Sequence, residues 1–167
     1  MLLRVKIAEC REVDVELLDS ESSLRGTSFH AGRYARQQLG RSTVLVAWLG
    51  RQPVGSCEIR WDGCGAEEVR VRHSDCPEIN GLGVWPEAMR SRGVGTALIR
   101  AAERAARARP CHCIGLGVET TNVRAATLYA RLGYRPTVAY VDRWSFEDSG
   151  GATHYLADAC RFMVKEI

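Results

Sequence analysis

Arg90-Ser91-Arg92-Gly93-Val94-Gly95, followed at once by Thr96, sets two guanidinium groups and two glycines at the start of a helix-forming stretch. That combination suits an anion. Glycine lets backbone N–H groups approach a ligand with no Cβ in the way. The first turn of a helix adds unpaired N–H groups and the positive end of the dipole, where phosphate or pyrophosphate is held. Arg90 and Arg92 add full charges. A pair of glycines also serves any tight turn, so the surroundings decide. A nucleoside triphosphate loop is excluded by its ending, because Gly95-Thr96-Ala97 lacks the lysine of G-K-[ST].

The surroundings are specific. Before the loop runs Leu82-Gly83-Val84-Trp85-Pro86, and after it Asn122-Val123-Arg124-Ala125-Ala126-Thr127-Leu128-Tyr129-Ala130-Arg131-Leu132-Gly133-Tyr134. R-x-x-G-x-G behind L-x-V-x-P resembles the coenzyme A pyrophosphate loop of the GNAT superfamily of N-acetyltransferases. The second segment is similar to that family's N-x-x-A-x-x-L-Y-x-x-x-G-F/Y. The resemblance is specific over about residues 78–134 and general elsewhere.

The resemblance implies acetyl-CoA as acyl donor and no metal. It assigns the pyrophosphate to Arg90, Ser91, Arg92, Gly93, Val94, Gly95 and Thr96, and the pantetheine arm to Leu82, Gly83 and Val84. A backbone N–H of this strand, carried over to Val84, polarises the thioester carbonyl. Asn122 is placed as a helix N-cap or as a cofactor ligand. Tyr129 matches the tyrosine beside the coenzyme A sulfur. A phenol titrates near 10 and an alkyl thiol near 8.5, so Tyr129 is expected to hydrogen-bond the thiolate, with net proton transfer following from the amine. Glu78 is the first choice for the base, with Glu58, Glu119 or a water chain as alternatives. Trp61, Tyr140, Trp144 and His154 fall on elements that could wall the acceptor pocket.

The expected function is acetyl transfer to a primary amine of a small molecule, by direct attack in a ternary complex. A non-catalytic acyl-CoA sensor would not need Tyr129; protein lysines or N-termini are alternative acceptors. A net charge of +3 from arginines interleaved with acids is too small to imply a nucleic-acid partner. No apolar run has membrane-spanning length. Seven cysteines without paired C-x-x-C spacing suggest reduced thiols and a cytoplasmic setting; Cys111-His112-Cys113 offers too few ligands for zinc. A homodimer is left open.

These residues need a frame. One α/β domain spanning 1–167 is expected, with a mixed, mostly antiparallel sheet of about seven strands and a splayed parallel pair formed by the fourth and fifth. Residues 2–8 alternate as a first strand, with Leu3, Val5 and Ile7 on one face; 13–21 and 31–39 read as helices, the second stopped by Gly40. The polar stretch 20–28 between them is expected to be mobile. Residues 43–49 and 54–61 form a hairpin over a turn at 50–53. The charged alternating piece 67–73 either extends that hairpin or stands as an irregular excursion. Residues 78–85 make the fourth strand, where Gly81 and Gly83 mark a bulge or close backbone approach.

A helix over 94–108 is predicted to bury Val94, Ala97, Leu98, Ala101, Ala105 and Ala108, leaving Arg100, Glu103, Arg104 and Arg107 on a solvated face. A buried strand at 114–118 follows, parallel to the fourth because a helix crosses between them. A helix over 123–132 ends on Gly133 as its left-handed cap. Strands at 134–144 and 159–166 flank a glycine-rich loop at 147–151.

Overall fold

Along β2 (Ser42–Leu49) the side chains divide strictly by parity: Val44 and Val46 join one apolar cluster, Leu45 and Ala47 another. A strand buried on both faces must lie inside a sheet covered on both sides. The computed structural model, which describes residues 3–22 and 27–167, shows such a sheet. Its seven strands run β1-β2-β3-β4-β5-β7-β6, with β1 (Lys6–Glu9), β3 (Gln52–Arg60), β4 (Glu78–Val84), β5 (Cys113–Glu119), β6 (Arg135–Glu147) and β7 (Thr153–Glu166). All neighbours are antiparallel except β4 and β5.

On one face lie α1 (Val15–Glu21) and α2 (Phe29–Gln38), closing over Leu18, Val44, Val46 and Trp85. The 3-10 turn Glu12–Asp14 leads into α1. The other face is covered by α4 (Val94–Arg107), whose Val94, Leu98, Ile99, Ala102 and Ala106 pack on the sheet. Tyr129 of α5 (Val123–Arg131) joins the same cluster. Leu3, Val5 and Ile7 pack there too, although β1 begins only at Lys6. Residue 2 and residues 23–26 lie outside the described residues. Of the stretch expected to be mobile, Thr27 bridges Asp148 and the Ser28 N–H donates to the Glu147 carbonyl at 3.1 Å. Among the described residues no helix is long and apolar enough to cross a membrane.

Four expectations need correction. Residues 67–73 are neither strand nor excursion but a helix, α3 (Glu67–Arg72). Only Val69 is buried while Val71 is 81 % exposed, so the alternation has no second apolar position to bury. Glu67 and Glu68 at its start and Arg70 and Arg72 at its end complement the helix dipole. The buried face of α4 is turned by about one residue, and Glu103 is inside, accepting from Tyr134 Oη (3.0 Å) and Lys165 Nζ (2.9 Å). Its pair with Arg107 is present at 3.8 Å. The β2–β3 turn occupies only residues 50 and 51, since Leu49 is already opposite Gln52. Finally, β7 begins at Thr153, making β6–β7 one long hairpin from Arg135–Val164 to Glu147–Thr153.

Candidate active site

Two features of β4 open the sheet. Pairing with β5 covers only Glu78↔Gly115 and Ile79↔Leu116, after which the strands part. Pairing with β3 jumps from Glu58↔Asn80 to Ser56↔Gly83, so β4 carries one residue more than its partner there. That bulge holds Gly81 at φ +58°, where a Cβ would lie 2.0 Å from the Arg33 guanidinium. Further on, the Trp85 N–H donates to the Val54 carbonyl (3.0 Å). By the alternation of an antiparallel ladder, the N–H and C=O of Val84 therefore point away from β3 into the gap.

Arg33, fully buried on α2, pins the bulge from below. It donates to the carbonyls of Asn80 (3.0 Å) and Gly81 (2.8 Å) and to Ser56 Oγ (3.2 Å), and faces Glu58 at 3.7 Å. Burial lowers its guanidinium to about 10, which leaves it charged at neutral pH. Glu58 is buried beneath three arginines, taking two bonds from Arg36 (2.8 and 2.9 Å) with Arg60 at 3.5 Å. Burial pushes its carboxyl up, but those bonds and charges outweigh it and hold the group below its ordinary range. A carboxylate tied in this way is a poor proton acceptor, and Glu58 does not line the cavity.

A second buried chain joins α1, α2 and β3. Asp19 accepts the backbone N–H groups of His30 (2.8 Å) and Ala31 (3.2 Å), and His30 Nδ1 at 3.2 Å. A carboxylate there takes the Nδ1 proton, so Nε2 accepts from the Ser56 hydroxyl at 3.0 Å. Burial lowers the imidazole, which is neutral at pH 7. The order of residue types is that of a hydrolytic triad. Here, however, Ser56 is 1 % exposed and its oxygen already receives Arg33, so the chain acts as a tie between helix and sheet.

Above this floor, the gap between β4 and β5 widens into a cavity of about 800 Å³. Glu78, Leu82, Gly83, Asn122 and Tyr129 line it, as do Glu119, Tyr140 and Trp144. Glu78 is 3 % exposed; its Oε1 accepts from Asn80 Nδ2 (3.0 Å) while the buried Oε2 has no hydrogen-bond partner. Burial pushes this carboxyl up; Asn80 and Arg60 act against that, and the charges of Asp142 and Glu58 add to it. Burial likewise pushes the Tyr129 phenol up to about 12, and among the described residues its hydroxyl has no partner. Asn122 caps α5, its Oδ1 accepting from the Ala125 N–H at 3.1 Å.

At the end of β4 lies the glycine loop. Arg90 Nε reaches the Val84 carbonyl at 3.5 Å, and the Leu3 N–H anchors the Arg92 carbonyl at 2.9 Å. Ser91 (φ +59°) and Gly93 (φ +88°) are both left-handed, Gly93 standing as the N-cap of α4. Val94, Gly95 and Thr96 form the first turn, whose N–H groups have no intrahelical acceptor. Apart from its chain neighbours and the backbone of its own helix, a Cβ at Gly95 would come no nearer than 3.9 Å to any atom, so its outer side is open.

The structure thus gathers Glu78, Leu82, Gly83, Asn122 and Tyr129 at one cavity, with Val84 and residues 90–96 continuing from it. Trp61 is elsewhere, donating to Thr43 (3.1 Å) with Arg109 over its ring, and His154 is paired with Asp148 (2.7 Å). Neither lines the cavity, in contrast to the sequence expectation; Tyr140 and Trp144 do. Arg33, His30, Asp142 and Asp158 escaped sequence reasoning. Only an apolar count along α2 could have flagged Arg33, since positions 30 and 33 are its buried ones.

A profile described as the acetyltransferase (GNAT) family matches residues 13–134. No curated protein sequence matches. Among solved structures, the ribosomal-protein-S18-alanine N-acetyltransferase of Escherichia coli aligns with TM-score 0.68 at 14% identity, covering 98% of this chain and 94% of that one. An acetyltransferase of Streptococcus pneumoniae gives 0.67 at 21%, covering 98% and 100%. A GNAT acetyltransferase of Elizabethkingia anophelis, solved with acetyl-CoA bound, gives 0.61 at 16%, covering 98% of each. At such identities the likeness is one of fold.

Proposed function

The chain belongs to the acetyltransferase (GNAT) family, and on that premise we propose that it moves an acetyl group from acetyl-CoA to a primary amine of a small molecule by direct attack in a ternary complex. One observation carries this reading. The Tyr129 hydroxyl and Glu78 Oε2, a donor and an acceptor each without a protein partner among the described residues, belong to side chains lining the same cavity. Acyl transfer to an amine needs both, one for the departing thiolate and one for the amine's proton.

The residues present fit the donor substrate. The left-handed turn at Ser91 and Gly93 brings the N-terminus of α4 to the end of the gap, with Arg90 and Arg92 beside it, which suits a pyrophosphate. The open edge of β4 at Leu82 and Val84 suits the amide groups of a pantetheine arm, and the Val84 N–H suits a thioester oxygen. Glu78, whose proton affinity is raised by burial, takes the proton of the attacking amine. Tyr129 holds the sulfur. A cytoplasmic setting belongs to this reading, supported by seven unpaired cysteines.

Two substitutions test it. Gly93→Asp puts a Cβ and a negative charge on a left-handed residue at the helix N-terminus, and acetyl-CoA should bind at least about tenfold more weakly in calorimetry. Parent-like affinity would remove the loop from the donor site. Glu78→Gln should slow turnover by roughly 100-fold, near the low end for general-base assistance. In the parent, kcat/KM rises with pH as Glu78 deprotonates, above the ordinary carboxylate range. That limb should vanish in the variant; a limb that persists unchanged assigns the proton to another group.

A further inference from the structure

The cavity carries more negative charge than acetyl transfer to a simple amine requires. Five carboxylates line the cavity against three arginines, in a chain whose net charge is +3. Asp142 on β6 and Asp158 on β7 are register partners, directly opposite each other and both lining the cavity. Like charges placed opposite on neighbouring strands destabilise a sheet. Their surroundings relieve this only in part: Trp144 Nε1 donates to Asp158 Oδ2 (2.8 Å), and the positive charge of Arg60, which acts on Asp142, is shared with Glu58 at 3.5 Å. Asp142 in turn acts on Glu78, so the three carboxylates form one electrostatic group. Glu78 is the buried, unpartnered member of it.

The attacking amine offsets only one of these charges, that of Glu78, which takes its proton, and leaves Asp142 and Asp158 uncompensated. A nitrogen that stays charged throughout is needed. Trp144 and Tyr140, aromatic residues of the kind that attract cations, line the same cavity. We infer that the acceptor is a small molecule with two cationic nitrogens, of the α,ω-diamine kind, one nitrogen presented to Glu78 and the other seated on Asp142 and Asp158. This rests on the acetyl-transfer reading for the first nitrogen and on the paired aspartates for the second.

The test compares α,ω-diaminoalkanes of graded length with n-alkylamines and ω-amino carboxylates of matching length, using acetyl-CoA and following free thiol. The best diamine should exceed the matching monoamine in kcat/KM by roughly 10- to 100-fold, the size of a charge-assisted contact, and the amino carboxylates should be poorest. In the Asp142→Asn, Asp158→Asn double variant and in Asp158→Asn alone that ratio should fall to within about threefold of unity. Melting curves accompany both variants and should show equal or higher stability, since a like-charge pair is removed while asparagine keeps an acceptor for Trp144. Equal efficiency for diamines and monoamines in an active enzyme overturns the dication site and leaves acetyl transfer standing. If no amine turns over, calorimetry of the diamines on the coenzyme A-loaded protein decides. Binding that the double variant loses keeps the site and removes acetyl transfer; no binding overturns the site.

Discussion

Tyr129→Phe should lower the single-turnover rate of thiol release by about 10²–10⁴-fold, with acetyl-CoA affinity nearly unchanged. The ring of Tyr129 packs in the cluster shared with Leu98, Tyr134 and Met163, and phenylalanine keeps that packing. Only the hydroxyl goes, and it makes no bond within the described protein, so stability should hardly move. Burial holds the phenol up near 12, above the ordinary range of an alkyl thiol, so Tyr129 is a poor outright proton donor to the thiolate. In the proposed mechanism Tyr129 acts by hydrogen bonding to charge that develops on sulfur, an interaction stronger in the transition state than in the ground state. Single-turnover kinetics at saturating acetyl-CoA, beside a melting curve, separates the possibilities. An unchanged rate removes Tyr129 from the chemistry; a lost Tm with an unchanged rate makes it a core residue.

Arg33→Met should cost about 3–5 kcal/mol of stability, or roughly 6–20 °C in Tm, the range for removing one partner of a buried ion pair. Methionine fills much of the space, but the carbonyls of Asn80 and Gly81 lose their donor, and Glu58 loses one of three cations. The effect should be smaller in acid. Glu58 has a lowered proton affinity in the folded chain, so its pairing contributes stability above the unfolded carboxylate value near 4.3 and loses it as pH falls through the lower folded value. Activity should also fall, because the bulge that Arg33 holds sets where β4 presents Leu82 and Val84. Parent-like melting would mean that the bulge stands without Arg33.

What could be read from the chain alone was what local sequence determines. The helix start behind the glycine loop, the Asn122 cap and the Gly133 stop each depend on a few consecutive residues, and each stands as expected. Glu103 reads as half of an exposed helical pair until Tyr134 and Lys165 arrive from other elements. Arg33 resembles any helix-surface arginine until the β4 bulge supplies carbonyls for it. The start of β7 is polar, and its pairing is dictated by the partner strand, not by its own composition. Asp142 and Asp158 become neighbours only through that register. Such residues are placed by long-range pairing, which no window of a single sequence contains.

Among the described residues the ladder between the four strands β1–β4 and the three strands β5–β7 consists of two residue pairs, Glu78↔Gly115 and Ile79↔Leu116. In mechanical terms the sheet is two plates riveted at one corner, with α4 as the strap that runs from one to the other. Along the rest of the seam the cohesion that a seven-stranded ladder would have is absent from the backbone. On the proposed function a substrate lying in that seam touches both plates, so the free energy that binds it also becomes cohesion of the fold.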